Sequence, residues 1–193
     1  RSVEMAQKYN VPVYVRSSFS DKGGTLVTKE DKQMEKEVLS GITYDRDQAK
    51  ITAIHIPDKP GVAANLFTAL SEHNISVDMI IQNISAQGHT DLTFTVAKKD
   101  AKQAHKIVDA AAKEIGARKV EINDDVAKIS IIGVGMVSHS GVAAKMFKTL
   151  ADEGINIMMI STSEIKISCV IQRRYTELAV SALHEAFQLG RKK

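Results

Sequence analysis

The sequence predicts an α+β fold of two ferredoxin-like βαββαβ units, the first inserted in the second, and three observations predict it. Gly61-Val62-Ala63-Ala64-Asn65-Leu66-Phe67 returns eighty residues later as Gly141-Val142-Ala143-Ala144-Lys145-Met146-Phe147, and Leu70, Ile75, Met79 and Ile80 are matched by Leu150, Ile155, Met159 and Ile160. Both copies switch between strand-type and helix-type apolar periods in the same order. The second copy ends one strand short, while a strand pattern near the chain start has nothing local to pair with.

In the first copy, Lys50 to Ile56 alternates apolar and polar residues, as a half-buried strand does. Asp58-Lys59-Pro60-Gly61 is turn chemistry. Val62, Leu66, Phe67, Ala69 and Leu70 then fall at helical spacing to about Asn74. Val77 to Ser85 reads as a second strand, Gln87-Gly88 as a turn, and Thr90 to Ala97 as a third strand with Leu92, Phe94 and Val96 on one face. Asp100 is placed to cap a helix carrying Ala104, Ile107, Val108 and Ala111, and Gly116 to end it. Lys119 to Asn123 is a short last strand. The second copy follows suit: a strand over Ala127 to Val134, a loop two residues longer, a helix over Gly141 to Glu153, strands over Ile157 to Ser163 and Lys166 to Gln172, and a helix over Thr176 to Gln188.

The missing fourth strand has a candidate in Val11 to Ser17, where Pro12 suits a sheet edge that tolerates a lost N–H. The expected division is 1–48, holding a helix end, that strand and a connector; 49–125, the first unit; and 126–190 together with 11–17, the second. Residues 20 to 48 read as a polar connector with a helical turn near Glu35 to Leu39, and residues 1–9 as the end of a helix from upstream. The chain does not begin with Met and reads as a natural subunit or an excised piece of a longer protein.

Composition narrows the function. Of the 193 residues, 44% are hydrophobic and 25% charged, the balance of a globular domain. No apolar run approaches the roughly 20 residues of a membrane span, and there is no signal core. The net charge of +3 is matched by Arg191, Lys192 and Lys193, so the basicity is a tail and not a nucleic-acid footprint. Aromatics are only 5%, with no Trp to stack on bases. Cys169 stands alone in an apolar strand, which fits a reduced, cytoplasmic protein. His55, His73, His89, His105, His139 and His184 form no i,i+4 pair and have no companion Cys, which argues against a metal site. Gly23-Gly24 lacks the spacing of a phosphate loop, and no nucleophile–base motif appears, so neither a catalytic site nor a cofactor is expected.

Tandem βαββαβ units whose first loop reads Asp-Lys-Pro-Gly resemble ACT domains, which bind small amino acids. The resemblance is closest to the regulatory half of aspartate kinase, carried by Ile54 to Gly61, Asp78 to Ser85, Ser161 to Ser168 and Val13 to Phe19. It implies allosteric feedback by threonine, lysine or both, within synthesis of the aspartate-derived amino acids. It also implies a homodimer through the ACT units and a partner catalytic domain or alpha subunit that carries the kinase chemistry. No nucleic acid or membrane partner is expected.

The physical logic of such a site is that of a zwitterion. Its carboxylate needs N–H donors, and a helix start offers several at a positive dipole end. Gly61 permits close approach, Val62 and Ala63 supply N–H groups, Asp58 on the same turn suits the ammonium, and Gln82 on the neighbouring strand suits a side-chain hydroxyl or amine. The resemblance assigns Asp58, Gly61, Ala63 and Gln82 to threonine, with Asn156 and Ile157 contributed across an ACT–ACT interface. Turn capping is the competing reading for Asp58. In the second copy Ser138-His139-Ser140-Gly141 replaces Asp-Lys-Pro-Gly, so His139 and Gly141 frame a loop without its acid. Glu164, beside Thr162 and Ser163, is the candidate acid for a lysine ammonium, or else a plain turn residue. Positions like Ser85, Thr162 and Ser163 control inhibition in the family. An RNA-binding reading of the same strand order lacks aromatics on the middle strands.

Overall fold

A computed structural model of the chain describes residues 2–21, 23–27, 39–83, 88–134, 136 and 140–190. The elements run α1 (Ser2–Lys8), β1 (Val13–Val15), β2 (Thr25–Val27), β3 (Gly41–Pro57), α2 (Val62–Glu72), β4 (Val77–Gln82), β5 (His89–Ala97), α3 (Ala101–Glu114), β6 (Lys119–Ile132), α4 (Val142–Asp152), β7 (Met159–Thr162), β8 (Lys166–Gln172) and α5 (Thr176–Ala186). Six strands form one antiparallel sheet in the order β4-β5-β3-β6-β8-β7. Among the described residues, no helix is long and apolar enough to cross a membrane.

The two expected units are both present, and they share their central strands. The latter part of β3 opens the first unit, and the early part of β6 closes it. The latter part of β6 opens the second unit. Its fourth strand is the early part of β3, with Gly41 to Asp45 opposite Ile132 to Lys128. The expectation that residues 11–17 fill this position is therefore corrected, as is the reading of 41–48 as connector. Val13 to Val15 pairs instead with Thr25 to Val27 in a separate two-stranded sheet. A hairpin between near neighbours closes a short loop at small entropic cost. The β-branched and aromatic run Ile42-Thr43-Tyr44 is in turn continuous with β3 and needs no separate anchoring. The first unit remains inserted between the pieces of the second. The helical turn expected near Glu35 falls outside the described residues.

Where the units meet, each central strand carries one extra residue. The register shifts between Asp45 and Gln48 on β3, and again between Gln48 and Lys50, opposite Val126 and Asn123 on β6. Each bulge is held by an Asx bond: Asp47 N–H donates to Asp45 Oδ1 at 2.8 Å, and Asp125 N–H to Asn123 Oδ1 at 3.0 Å. A cation before the second helix of each unit secures the middle carbonyl. Lys98 Nζ donates to the Asp124 carbonyl at 2.9 Å, and Arg173 Nη2 donates to the Arg46 carbonyl. A bulge changes which face the following side chains occupy. Ile42 thus packs with Ile129 and Ile131 under α4 and α5, while Ala49, Ile51 and Ala53 pack under α2 and α3.

Helix burial follows the apolar spacing. Leu66 and Leu70 of α2 and Ala104 and Val108 of α3 cover the first core with Phe94. Met146 and Leu150 of α4 and Ala179 and Leu183 of α5 cover the second. A third cluster lies on the helix-free face, where the sheet curls until its edges meet: Met79 of β4 packs with Met159 of β7, Val126 and Val170. Asp100 does not cap α3 with its side chain. It ends a tight turn, Lys98–Asp100, with helical backbone angles in place of the extended ones that a capping side chain needs.

Cys169 is wholly buried in β8, and burial pushes its thiol up to about 12. The folded chain is therefore expected not to react with Ellman's reagent near neutral pH and to react fully once unfolded. Rapid labelling of the native chain would show that β8 opens locally.

Candidate functional site

At one end of the first unit, β3 and β4 finish and β5 begins. The turn after β3 is anchored by Asp58 N–H donating to the Gly88 carbonyl at 2.8 Å, which leaves the carboxylate exposed. Gly61 precedes α2 with φ 92°, a left-handed angle that side chains resist, and an added Cβ would meet no atom within 4 Å. The glycine is thus required by the backbone and leaves open space beside it. Its carbonyl accepts from Asn65 N–H at 2.9 Å. Val62 N–H already donates to the Lys59 carbonyl, at 3.4 Å, so it is not the free donor expected. Ala63 lies in the first helical turn, where amides lack intrahelical acceptors.

Gln82 ends β4 and is exposed. It lies opposite Leu92 of β5, the strand that separates it from β3, so about 10 Å of sheet stands between it and the Asp58 strand. Thr90 Oγ1 donates to the Asn83 carbonyl and ties the strand ends together. Asn156, exposed, and Ile157, half-buried, lead into β7. In this sheet β7 runs opposite to β4, so β7 is entered from the end at which β4 leaves. Asn156 and Ile157 lead into the edge strand that meets β4 at Met79 and Met159, but the register sets the start of β7 level with Asp45 in the middle of β3, through Val170 and Lys128, and not with the Asp58 end.

One pair beside this turn escapes sequence reading. His55 and His89 stack with ring centroids 3.8 Å apart and planes 5° apart, flanking Pro57 and Asp58. His55 holds φ at 57°, and its N–H donates to Asp91 Oδ1 at 2.8 Å. The two rings are 34 positions apart, and only the β3–β5 register joins them.

The second unit repeats the arrangement. Gly141 precedes α4 with φ 94°, again with no atom within 4 Å of an added Cβ. The turn between β7 and β8 is closed by Ser163 N–H donating to the Lys166 carbonyl at 2.8 Å, and the preceding loop is tied to it by Gly133 N–H donating to Ile165 at 2.9 Å. A cavity of about 270 Å³ between them is lined by Met136, Gly141, Val142, Ala143, Thr162, Ser163, Glu164 and Ile167. The structure thus brings Gly141, Thr162, Ser163 and Glu164 together. It adds Met136, Val142, Ala143 and Ile167, whose apolar character in the sequence signals only core. The volume is near the lower bound for small-molecule pockets, about 300 Å³. Glu164 is both a turn residue and a cavity wall. Ser85 and His139 lie outside the described residues.

The ACT-domain family matches residues 51–111 and 129–187. An aspartate kinase of Pseudomonas fluorescens is 54% identical over 190 residues, covering 98% of this chain and 46% of the relative. The chain thus spans about half the length of the curated relatives it matches. The ligand-free regulatory subunit of aspartate kinase from Thermus thermophilus superposes with a TM-score of 0.74 at 44% identity, covering 78% of this chain and 99% of that one. An Escherichia coli aspartokinase III crystallised with lysine and aspartate has a TM-score of 0.70 at 26% identity, covering 94% of this chain and 40% of that one.

Proposed function

This chain belongs to the ACT-domain family, as the regulatory part of an aspartate kinase, and from that premise we propose that it senses amino-acid end products. Threonine occupies the Asp58–Gly61 turn, with Gln82 and, across an ACT–ACT interface, Asn156 and Ile157 completing the contacts. Lysine occupies the Gly141–Glu164 cavity. The kinase chemistry resides in a partner catalytic domain or subunit in the cytoplasm. End-product binding would shift that partner between active and inactive arrangements, by no more than the ligand's differential affinity for the two.

One observation carries this reading. Each unit places a left-handed glycine and an open helix start next to a carboxylate, Asp58 in one and Glu164 in the other. Backbone amides suit a ligand carboxylate, and the acid suits an ammonium. The carboxylate at the second site comes from the opposite strand turn, reached by a longer side chain, which suits a more distant amine. The aspartokinase III crystallised with lysine supports that ligand class. A homodimer is expected through the sheet edges, where Ile80 of β4 and its repeat counterpart Ile160 of β7 are 51% and 41% exposed.

The test is calorimetric titration of the whole chain with threonine, with lysine, and with both. Saturable binding is expected, and Glu164→Gln should weaken lysine about tenfold while leaving threonine within about twofold of the parent. If neither amino acid binds, the sensing reading fails. If Glu164→Gln leaves lysine binding intact, the second site is misplaced.

A further inference from the structure

We infer that a single ion pair, Asp78 with Lys128, is a clasp coupling the two candidate ligand sites within one chain, an inference that rests on the sensing reading above. Lys128 of β6 stands opposite Asp45 of β3 in the register, yet its ammonium reaches over the helix-free face to Asp78 of the edge strand β4, fifty residues earlier in the chain. Only 16% of the Lys128 side chain and 39% of that of Asp78 is exposed. The pair lies beside the Met79–Met159 cluster, where the two sheet edges meet. The halves are therefore joined through the shared strands β3 and β6 and, across space, by this contact and the Met79–Met159 cluster beside it.

Two further observations give the contact a role. The first is where the joined strands lead. β4 ends at Gln82, four residues beyond Asp78, and β6 ends four residues beyond Lys128 in the loop to Gly141. The pair thus gives a shift of either strand end a direct route to the other, shorter than the path through β5 and β3. The second is asymmetry. By the repeat, Asp78 corresponds to Met158 and Lys128 to Lys50, so the symmetric counterpart pairs a lysine with a thioether and forms no ion pair. The contact is thus particular to one side of the repeat.

The surroundings also hold the lysine in place. Asp45 Oδ2 accepts from Gln48 Nε2 at 2.7 Å, and Asp45 Oδ1 accepts from Asp47 N–H at 2.8 Å. Burial works to raise the Asp45 carboxyl, but these bonds, together with Lys128, hold it below the usual carboxylate range. Lys128 thus faces two carboxylates, one on its neighbouring strand and one across the curl. This is a contiguous network with a defined break point, one physical route by which a shift at one site reaches the other.

Hydrogen–deuterium exchange of the whole chain tests the clasp without any ligand. Asp78→Asn should speed exchange at 129–134 and 159–162, and Lys128→Met at 77–82, by about two- to fivefold, the range of a partly exposed ion pair. The double variant should be no worse than either single one, because both remove the same contact. In the parent chain, threonine should slow exchange at 162–167 as well as at 58–63, and Asp78→Asn should confine that protection to 58–63. Acceleration limited to the substituted strand, additive effects in the double variant, or uniform acceleration of the whole chain would each overturn the clasp. A parent chain that binds neither threonine nor lysine overturns the sensing reading instead, and the ligand-free comparison then decides the clasp alone.

Discussion

Threonine affinity is expected to fall about ten- to hundredfold in Asp58→Ala, the range for losing a hydrogen bond to a charged group. The substitution is clean, because the turn is held by the backbone of Asp58, through its N–H to Gly88, and not by its carboxylate. What disappears is the one acid on the turn that leads to Gly61 and α2, the proposed partner for the ligand's ammonium. Gly61→Ala should weaken threonine as well, by a different route. No atom crowds the new methyl, so the cost is the left-handed backbone angle, about 1–2 kcal/mol, and relief of that strain would rotate the first amides of α2 away from the ligand carboxylate. Lysine binding at the second unit serves as the internal control. If calorimetry finds Asp58→Ala equal to the parent for threonine, Asp58 is a turn residue and the ammonium finds its acid elsewhere.

The largest effect on stability is expected from Phe94→Ala, about 3–5 kcal/mol. Phe94 is wholly buried on β5 among Leu66, Leu70, Val96 and Val108, and it meets Phe67 edge to face at 5.4 Å with planes at 74°. Truncation removes the ring's transfer free energy and that aromatic contact, and leaves a cavity beneath α2 and α3 that a six-stranded sheet with shared central strands cannot collapse to fill. Urea denaturation would show it as a lower midpoint at unchanged slope. A loss below about 1 kcal/mol would mean that the first core relaxes freely around the site, contrary to close packing.

Much of the architecture was legible because it rests on near neighbours in the chain. The repeat at Gly61 and Gly141 identified two helix starts, and both glycines have the left-handed angle that the turn chemistry implies. The alternation of Leu92, Phe94 and Val96 announced the buried face of β5, and all three are wholly buried. Around the candidate sites, Gly141, Thr162, Ser163 and Glu164 are gathered in one cavity, as a shared site would need. The expected donor at Val62 was misjudged because an amide's acceptor, here the Lys59 carbonyl, depends on the exact closure of a turn. The His55–His89 stack was illegible because register, and not spacing, brings the rings together.

By itself, the sequence determined the repeat, the order of strands and helices, the buried faces and the turn glycines. Each of these follows from interactions within a few residues, where side-chain period and backbone sterics leave few options. Only the tertiary structure decided which strand completes the second unit. Residues 11–17 and 41–45 both satisfy a strand's local demands, and the choice turned on which of them could pair with β6 while burying Ile42 against the second core and closing the shorter loops. The structure likewise decided that β3 and β6 serve both units, that paired bulges at Asp45 and Asn123 keep the helices on one face, and that the sheet curls until Asp78 meets Lys128. Those outcomes depend on pairings across fifty or more residues, where no local period carries the information and the free energy of burying a whole face selects the answer.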